Sequence, residues 1–384
     1  MIFDPAVYLP DDLLERIRER APIHDRENTF PEQDLDELRD SGYLRILVPE
    51  ERGGAGLGLE QAALLQQRLA GASPATALAI NMHLVWTGVA KVFSDRGVTG
   101  MEFVQDGAAA GDVFAFGVSE GGNDLVLFVS DTQAAPQADG GYAFTGTKIF
   151  TSLAPVWTKL GLHGLDTTSA DAPKLVFAFI DRTDAVTTRD DWDTLGMRGT
   201  QSRTTVLDGA AARAEHVVSR IDPGPSPEPI IFGIFSVFEL LLASVYTGIA
   251  RRALDLAVET VRKRTSKKTG LAYSQDPDIR WRIADMSLAY DAVPPQITAL
   301  ARDVDARHDH GARWFTLLSG TKHRAVTMAK HVVDQAMLTA GGGSYFSSNE
   351  LSRLYRDVLA GMFHPSDPES AHSAAASALL GPIE

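Results

Sequence analysis

One 21-residue run constrains the fold more than any other part of the chain. Ile230 to Ala250 has the sequence IIFGIFSVFELLLASVYTGIA, with a single charged residue, Glu239. A helix of this length could span a bilayer. However, Glu239 would then lie near the bilayer midplane, which costs about 3 kcal/mol, and the helical pattern continues without a break to Val261. A buried helix in a helical bundle explains both facts, so we expect no membrane span.

The order of local patterns along the chain predicts three domains. Residues 1–112 have mostly helical periodicity, residues 113–220 alternate with a period near two, and residues 228–384 are helical again. A proline-rich linker precedes the last segment, and Pro294-Pro295 should kink or break its second helix. The pattern predicts an α+β fold with an N-terminal helical domain, a central β-barrel or sandwich and a C-terminal four-helix bundle.

Charge and composition exclude several classes of protein. The net charge of −14 argues against binding to nucleic acid or to an anionic membrane surface. The chain has no cysteine, so it cannot use disulfides, thiol catalysis or thiolate metal ligands. Its histidines lack the spacing of a metal site, and we expect no metal. The N-terminus lacks the pattern of a signal peptide, so we expect a cytoplasmic protein.

A stretch of the predicted β-domain, Phe114 to Leu153, has the features of a ligand-binding hairpin. A short strand leads into a polar turn, SEGGND at 119–124, and a later Asp-Gly-Gly turn joins two alternating runs. Gly121 and Gly122 allow backbone N–H groups to approach a ligand closely. We interpret this stretch as the floor of a flavin site, with an ordinary β-hairpin as the alternative.

Short motifs occur in a characteristic order along the chain: VPEERGGAGLG at 48–58, SEGGND at 119–124, DGGY at 139–142, TGTKIFTS at 145–152, LGMRGTQS at 195–202, GIA at 248–250, GGG at 341–343 and RLYRD at 353–357. Together they resemble the acyl-CoA dehydrogenase superfamily over essentially the whole chain. The SEGGND turn is two residues shorter than the corresponding family motif and lacks its proline.

This resemblance implies FAD bound non-covalently between the β-domain and the bundle, in a homotetramer or homodimer. By position in the motifs, the cofactor contacts fall on Val118, Ser119, Gly122, Asn123, Phe150, Ser152, Arg264, Gly341 and Gly342. Phe150 and Ser152 would lie near flavin N5. Arg264 would reach the diphosphate of a neighbouring subunit's cofactor, and Gly341 and Gly342 would pack near its adenine. For the basic run around Arg264, a solvated helix end is the alternative.

The resemblance also implies a catalytic glutamate that this chain lacks. Most members supply it from a turn after the Arg-Asp pair, where this chain has Pro365, which cannot titrate. A branch of the family takes it from the first bundle helix, at the position of Phe238. Its neighbour Glu239 could serve as the base if the helical register were locally shifted, or it could pair with a Lys or Arg of another helix. A carboxylate in so apolar a helix should have a raised pKa.

His364 is the other candidate for the base, because a neutral imidazole can take a proton near pH 7. A histidine in this turn and a serine near flavin N5 also resemble the flavin monooxygenases of the same fold, in which they assist a hydroperoxyflavin. His364 and Ser152 match that pairing. His83 lies on a mostly apolar predicted helix, and we expect it to be a structural residue with satisfied hydrogen bonds; the alternative is that it lines the pocket.

Three functions remain open from the sequence. The first is an FAD-dependent oxidoreductase for α,β-dehydrogenation of an acyl thioester, either acyl-CoA or carrier-bound, with Glu239 or His364 as a non-standard base. The second is a flavin monooxygenase, which could use FMN. The third is a non-catalytic subunit of a mixed tetramer. Resemblance over the whole length favours the first, and Pro365 counts against it.

Overall fold

The computed structural model describes residues 3–169, 171–381 and 383. The N-terminal part is helical, as predicted. Its longest helix, α4, begins where Ser73 caps the backbone N–H of Thr76 and Pro74 occupies the first turn. The helices are α1 (Asp11–Glu27), α2 (Glu32–Asp40), α3 (Leu59–Ala70), α4 (Pro74–Asp95) and α5 (Glu102–Ala110).

A mixed eight-stranded sheet follows, in the order β6-β7-β3-β2-β4-β5-β8, with β1 pairing in parallel with β4. β5 and β7 also contact each other, so the sheet folds over as a barrel or sandwich would. The predicted hairpin joins β2 to β3, with Gly140 at φ +89°. The strands are β1 (Phe114–Gly117), β2 (Gln133–Pro136), β3 (Tyr142–Thr151), β4 (Lys159–Asp166), β5 (Lys174–Asp181), β6 (Val186–Thr188), β7 (Arg203–Ala212) and β8 (Val217–Ile221).

The C-terminal part is helical and contains the predicted break. One helix ends at Asp291 and the next begins at Pro294, because proline cannot donate the backbone hydrogen bond that would continue the first. In the described part of the chain, two long helices, α6 and α9, and four shorter ones follow the sheet: α6 (Pro229–Lys263), α7 (Pro277–Asp291), α8 (Pro294–Asp305), α9 (Arg313–Ala340), α10 (Glu350–Leu359) and α11 (Pro368–Leu380).

The apolar run lies within α6, at the centre of the molecule. α6 packs against α3, α4 and α9. A Cβ at Gly248 would lie 2.3 Å from the Gln67 carbonyl oxygen, so only glycine allows α3 and α6 to approach this closely. α6 is the one helix in the described part of the chain that is long and apolar enough to cross a membrane, and it is buried in the protein core.

The type of secondary structure changes near the predicted boundaries, at Phe114 and at Pro229. Because α3 and α4 pack on α6, the N-terminal and C-terminal helices share one core. The division into domains at 1–112, 113–220 and 228–384 stays a prediction.

Candidate functional site

The SEGGND turn lies beside the end of β3. The Ser119 carbonyl accepts a hydrogen bond from the Ile149 N–H at 2.9 Å. Gly122 has φ +82°, and a Cβ placed at Gly121 or Gly122 would meet no atom within 4 Å. The fold therefore brings the two predicted cofactor segments together and leaves the glycine backbone of the turn open to a ligand.

A buried ion pair anchors this turn, and the sequence analysis did not predict it. The Lys148 ammonium donates to Glu120 Oε1 at 2.6 Å, and both side chains are almost fully buried. Glu120 also accepts hydrogen bonds from four other residues: Ser130, Asp131, Thr132 and Asn123. Burial opposes the ionised form, but Lys148 and these donors outweigh it and hold the pKa of Glu120 well below its usual range.

Lys148 is the charged link between β3 and β4. Its ammonium lies 3.3 Å from His163 Nδ1, and His163 Nε2 bonds the Val126 carbonyl at 2.7 Å. Burial lowers the pKa of Lys148 to about 8. Burial and the Lys148 charge lower the pKa of His163 to about 3, so this imidazole is neutral at pH 7. The network fixes the segment from Glu120 to Thr132 against the sheet.

Among the predicted cofactor residues of the turn, Asn123 has its side chain engaged by the protein. The amide donates to Glu120 and to the Val129 carbonyl and accepts from the Leu125 N–H. Val118 is buried at the end of β1. A cofactor contact from Asn123 would therefore use its backbone, and contacts from Val118, Ser119, Gly122 and Asn123 stay predictions.

Phe150 and Ser152 differ sharply in their exposure. The Phe150 ring is 57% exposed and meets the edge of Trp192 at a centroid distance of 6.1 Å. Ser152 is buried, with Oγ 2.7 Å from Ser202 Oγ. An exposed aromatic ring beside an open glycine turn can pack against a planar aromatic ligand such as an isoalloxazine. This part of the surface therefore fits a flavin.

Phe238 and Glu239 point in different directions from α6. Phe238 stacks on Phe116 of β1, with ring centroids 5.6 Å apart. α6 is a continuous α-helix here, so the local shift in register considered above is absent. Glu239 instead accepts a hydrogen bond from Ser366 Oγ at 2.6 Å. Its other oxygen, Oε2, is buried and has no hydrogen-bond partner in the described part of the chain.

Lys322 of α9 anchors the turn after α10, in which most family members carry the catalytic base. Its buried ammonium donates to the carbonyl oxygens of Gly361 at 3.1 Å, His364 at 3.0 Å and Ser366 at 3.1 Å. Burial lowers the pKa of Lys322 to about 8, although Glu239 opposes the shift. Glu239 therefore lies near a basic group of another helix, but the described residues include no ion pair between Glu239 and Lys322. Its role as a catalytic base stays a prediction.

His364 presents an uncharged ring to the same region. Its Nε2 is buried without a hydrogen-bond partner among the residues described, and its ring lies 5.9 Å from that of Tyr246. Burial and Lys322 lower the pKa of His364 to about 3, so the imidazole is neutral at pH 7 and a weak base there. Asp367, the carboxylate closest to Pro365 in the turn, caps α11 by accepting from the Ser370 N–H.

Glu239 should make stability depend on pH. Burial raises its pKa to about 7, despite Lys322 and Ser366, from a reference value of 4.5. Between these pH values the native state holds a proton that the unfolded state has lost, so the Glu239 contribution to stability falls as pH rises. Between pH 5 and pH 7, we expect the free energy of unfolding of the wild type to fall by about 1–3 kcal/mol relative to that of Glu239→Gln, which has no titrating group at this position.

Urea denaturation of both proteins at pH 5, 6 and 7 measures this difference. Glu259→Gln is the control, because Glu259 lies on the same helix but outside the apolar run, and it pairs with Lys263. A difference between Glu239→Gln and wild type that does not change with pH would contradict the prediction.

Arg264, Gly341 and Gly342 lie together at the ends of α6 and α9. The Arg264 guanidinium donates to the Ala340 carbonyl and lies 4.8 Å from the centroid of the Tyr273 ring. A Cβ at Gly341, which has φ +76°, would lie 3.3 Å from Arg264 Nη1. The fold therefore brings these three predicted residues into one region, and their contact with a cofactor stays a prediction.

His83 has the structural role that we expected. Its Nε2 bonds the Leu44 carbonyl at 2.7 Å, and its Nδ1 accepts from the Phe114 N–H at 3.2 Å. Burial lowers the pKa of His83 to about 4. Both ring nitrogens are used, so His83 is an internal support for β1.

Comparison with known proteins agrees with this architecture. Two family models match, the acyl-CoA dehydrogenase N-terminal domain over residues 13–95 and the acyl-CoA dehydrogenase C-terminal domain over residues 240–366. The amino sugar nitrososynthase DnmZ of Streptomyces peucetius is 30% identical over 377 residues, which is 92% of this chain and 88% of that protein.

Two solved structures share the fold. KijD3 in complex with FMN and dTDP-3-amino-2,3,6-trideoxy-4-keto-3-methyl-D-glucose has a TM-score of 0.87 and 25% identity, covering 100% of this chain and 96% of that one. Butyryl-CoA dehydrogenase from Megasphaera elsdenii has a TM-score of 0.84 and 19% identity, covering 99% of this chain and 100% of that one. The second likeness concerns the fold alone.

The helix–sheet–helix order, together with the similarity to DnmZ and to FMN-bound KijD3, identifies the protein as a flavin-dependent oxidoreductase. More particularly, the chain belongs to the acyl-CoA dehydrogenase superfamily. The predicted family and fold class are confirmed.

Proposed function

We propose that this protein is a flavin-dependent monooxygenase that adds one oxygen atom from O₂ to the nitrogen of a small amine. The observation that carries the proposal is the turn from Phe363 to Asp367. Pro365 stands at the position of the family's base, Asp367 is used as a helix cap, and His364 is left with an unpartnered ring nitrogen. A site without a free carboxylate in this turn is poorly suited to removing a proton from carbon.

Glu239 also fits a supporting role better than that of a base in this proposal. Its Oε1 is bonded to Ser366, whereas the residue that contacts Phe116 of the sheet is its neighbour Phe238. Together with Lys322, it fixes the turn that carries His364. The proposed oxygenation therefore uses Glu239 as a structural partner.

The names of two relatives support a substrate class. DnmZ is named as an amino sugar nitrososynthase, and KijD3 was solved with FMN and a dTDP-linked amino sugar. We therefore propose a nucleotide-linked amino sugar as substrate and FMN, in place of FAD, as the flavin. Arg264, Gly341 and Gly342 would then not contact an adenine. The exposed Tyr345 and Phe346 beside them support a homodimer or homotetramer. The expected location, the cytoplasm, is part of the same proposal.

The overall reaction balances as RNH₂, O₂ and reduced flavin giving RNHOH, water and oxidised flavin. When bound, the reduced flavin would supply the two electrons that activate O₂. His364, neutral at pH 7, would offer its free ring nitrogen as a hydrogen-bond partner for the substrate. Ser152, at the end of β3, would offer its hydroxyl to the flavin.

The expected result is oxygenation of an amine. Incubation of the protein with chemically reduced FMN, O₂ and a dTDP-amino sugar should yield a product 16 Da heavier, detected by mass spectrometry. His364→Ala should form about tenfold less product per O₂ consumed and release H₂O₂ instead, because one positioned hydrogen-bonding group typically contributes at least this much. His372→Ala, which alters an exposed histidine of α11, should behave as wild type.

Dehydrogenation remains a second candidate because of Glu239. Its Oε2 is buried without a hydrogen-bond partner among the described residues, and burial raises the pKa of its carboxyl group to about 7. An anaerobic titration of the flavin-loaded protein with acyl-CoA thioesters separates the two functions. Bleaching of the flavin without O₂, lost in Glu239→Gln, would establish dehydrogenation and contradict our proposal. An inactive chain that gains activity only with a second subunit would contradict both.

A further inference from the structure

Two backbone segments with strained conformations, residues 150–153 and 197–201, are hydrogen-bonded to each other near Ser152. Phe150 and Leu153 have φ of +56° and +64°, and Met197 and Gln201 have φ of +54° and +45°. This left-handed region is uncommon for residues other than glycine. The segments hold each other, since the Leu153 N–H donates to the Thr200 carbonyl at 3.2 Å. Strain of this kind persists where the surroundings enforce it, often at functional sites.

Three buried hydroxyl groups form a chain across the interlocked segments. Ser152 Oγ lies 2.7 Å from Ser202 Oγ, which lies 2.7 Å from Thr200 Oγ1. Thr200 Oγ1 lies 2.8 Å from the Met197 carbonyl, to which it donates. The N–H of Met197 is itself fixed by Asp357 Oδ1 at 2.6 Å. This chain of hydroxyl groups therefore starts at Ser152 and ends at the carbonyl of Met197, a residue that Asp357 anchors to α10.

The last link sets the direction of the whole chain. Each hydroxyl has one proton to donate. Because Thr200 donates to the Met197 carbonyl, it must accept from Ser202, and Ser202 must then accept from Ser152. The reverse direction would form one hydrogen bond fewer within the protein. The proton of Ser152 is therefore committed to Ser202, and only the lone pairs of Ser152 Oγ remain for a ligand.

We propose that Ser202 and Thr200 are positioning residues that make Ser152 a hydrogen-bond acceptor toward the bound flavin and thereby favour reduced flavin. The inference rests on the proposed function and on the family resemblance, which implies that Ser152 lies near flavin N5. N5 carries a hydrogen in reduced flavin and a lone pair in oxidised flavin. An acceptor hydroxyl bonds the first and leaves the second without a partner. The preference suits an enzyme that must bind reduced flavin before O₂.

Thr200→Val tests the inference without touching Ser152. Valine has nearly the shape of threonine, but it frees the Ser202 proton, so the Ser152–Ser202 pair can reverse and Ser152 can donate to oxidised flavin. We expect the ratio of Kd for oxidised FMN to Kd for reduced FMN to fall about fivefold, the effect of one ordinary hydrogen bond. For a two-electron couple this lowers the midpoint potential of the bound flavin by about 20 mV.

Matched variants separate this effect from a general loss of packing. Ser202→Ala should shift the ratio in the same direction, and Thr200→Ser should keep the wild-type ratio because it keeps the hydroxyl. Thr205→Val is the control: Thr205 is buried in β7, and its hydroxyl has no hydrogen-bond partner among the residues described. In a Ser152→Ala background, Thr200→Val should have no further effect, since the group that it acts through is gone.

Anaerobic binding titrations with oxidised and reduced FMN, together with a reductive titration of the complex, give each ratio. An unchanged ratio in Thr200→Val and Ser202→Ala, or a shift that persists in the Ser152→Ala background, would overturn the inference and leave the proposed function standing. Failure of the wild-type protein to bind either form of flavin would overturn both.

Discussion

Glu120→Ala should destabilise the protein by about 3–5 kcal/mol. The substitution removes one member of a buried ion pair and leaves the Lys148 ammonium without a counter-charge in the interior. The donors from Ser130, Thr132 and the Asp131 N–H lose their acceptor as well. The segment that carries the SEGGND turn should loosen, and flavin binding should weaken with it.

Chemical denaturation of the wild type and the variant measures the loss of stability, and a fluorescence titration with FMN measures the loss of binding. The matched control is Asp255→Ala, which breaks an exposed ion pair with Arg251 and should cost less than 1 kcal/mol. Adding Lys148→Met to Glu120→Ala should recover part of the lost stability, since it removes the unpaired charge. A cost below 1 kcal/mol for Glu120→Ala would show that the pair does not anchor the turn.

Lys322→Met should have a similarly large effect on the turn that carries His364. The ammonium is buried and donates to three carbonyl oxygens of one turn, those of Gly361, His364 and Ser366. Methionine preserves much of the volume and removes all three bonds, and it leaves Glu239 without its nearby cation. We expect a loss of about 3–5 kcal/mol in the free energy of unfolding.

The same variant should reduce the yield of oxygenated product per O₂ consumed, because the turn that presents His364 loses its anchor. Lys330→Met is the control, since it makes the same substitution at an exposed position of the same helix and should change stability by less than 0.5 kcal/mol. If Lys322→Met were as stable as Lys330→Met, the three carbonyl contacts would not fix the turn. If Lys322→Met had both the stability and the product yield per O₂ of the wild type, Lys322 would have no role in the proposed site.

Much of the fold could be predicted because its signals are local. The apolar run with one charge indicated a buried helix, the double proline indicated the break between α7 and α8, and the Asp-Gly-Gly turn indicated the β2–β3 hairpin. Strand β7 begins at Arg203. The residues before it form a 3₁₀ turn and adopt left-handed conformations that tertiary hydrogen bonds enforce.

The buried ion pair was missed although part of its signal was present. Lys148 lies four residues after Phe144 and six residues after Tyr142 in β3. Side chains alternate between the two faces of a strand, so Lys148 is on the same buried face as these two rings. A lysine on a buried face requires an acidic partner. The pattern does not identify this acidic partner. Glu120 is 28 residues away in the sequence, and it lies next to Lys148 only because of how the SEGGND turn folds.

The sequence by itself determined the class of the protein: the order of helices and strands, the family motifs and the missing glutamate at Pro365. Only the tertiary structure decided the relations between distant side chains. Ser366 bonds Glu239 across 127 residues, and Ser152 meets Ser202 across 50. Periodicity reports which face of an element is buried, whereas hydrogen-bond partners depend on how whole elements pack. The direction of the hydroxyl chain and the charge state of His364 belong to that second kind of information.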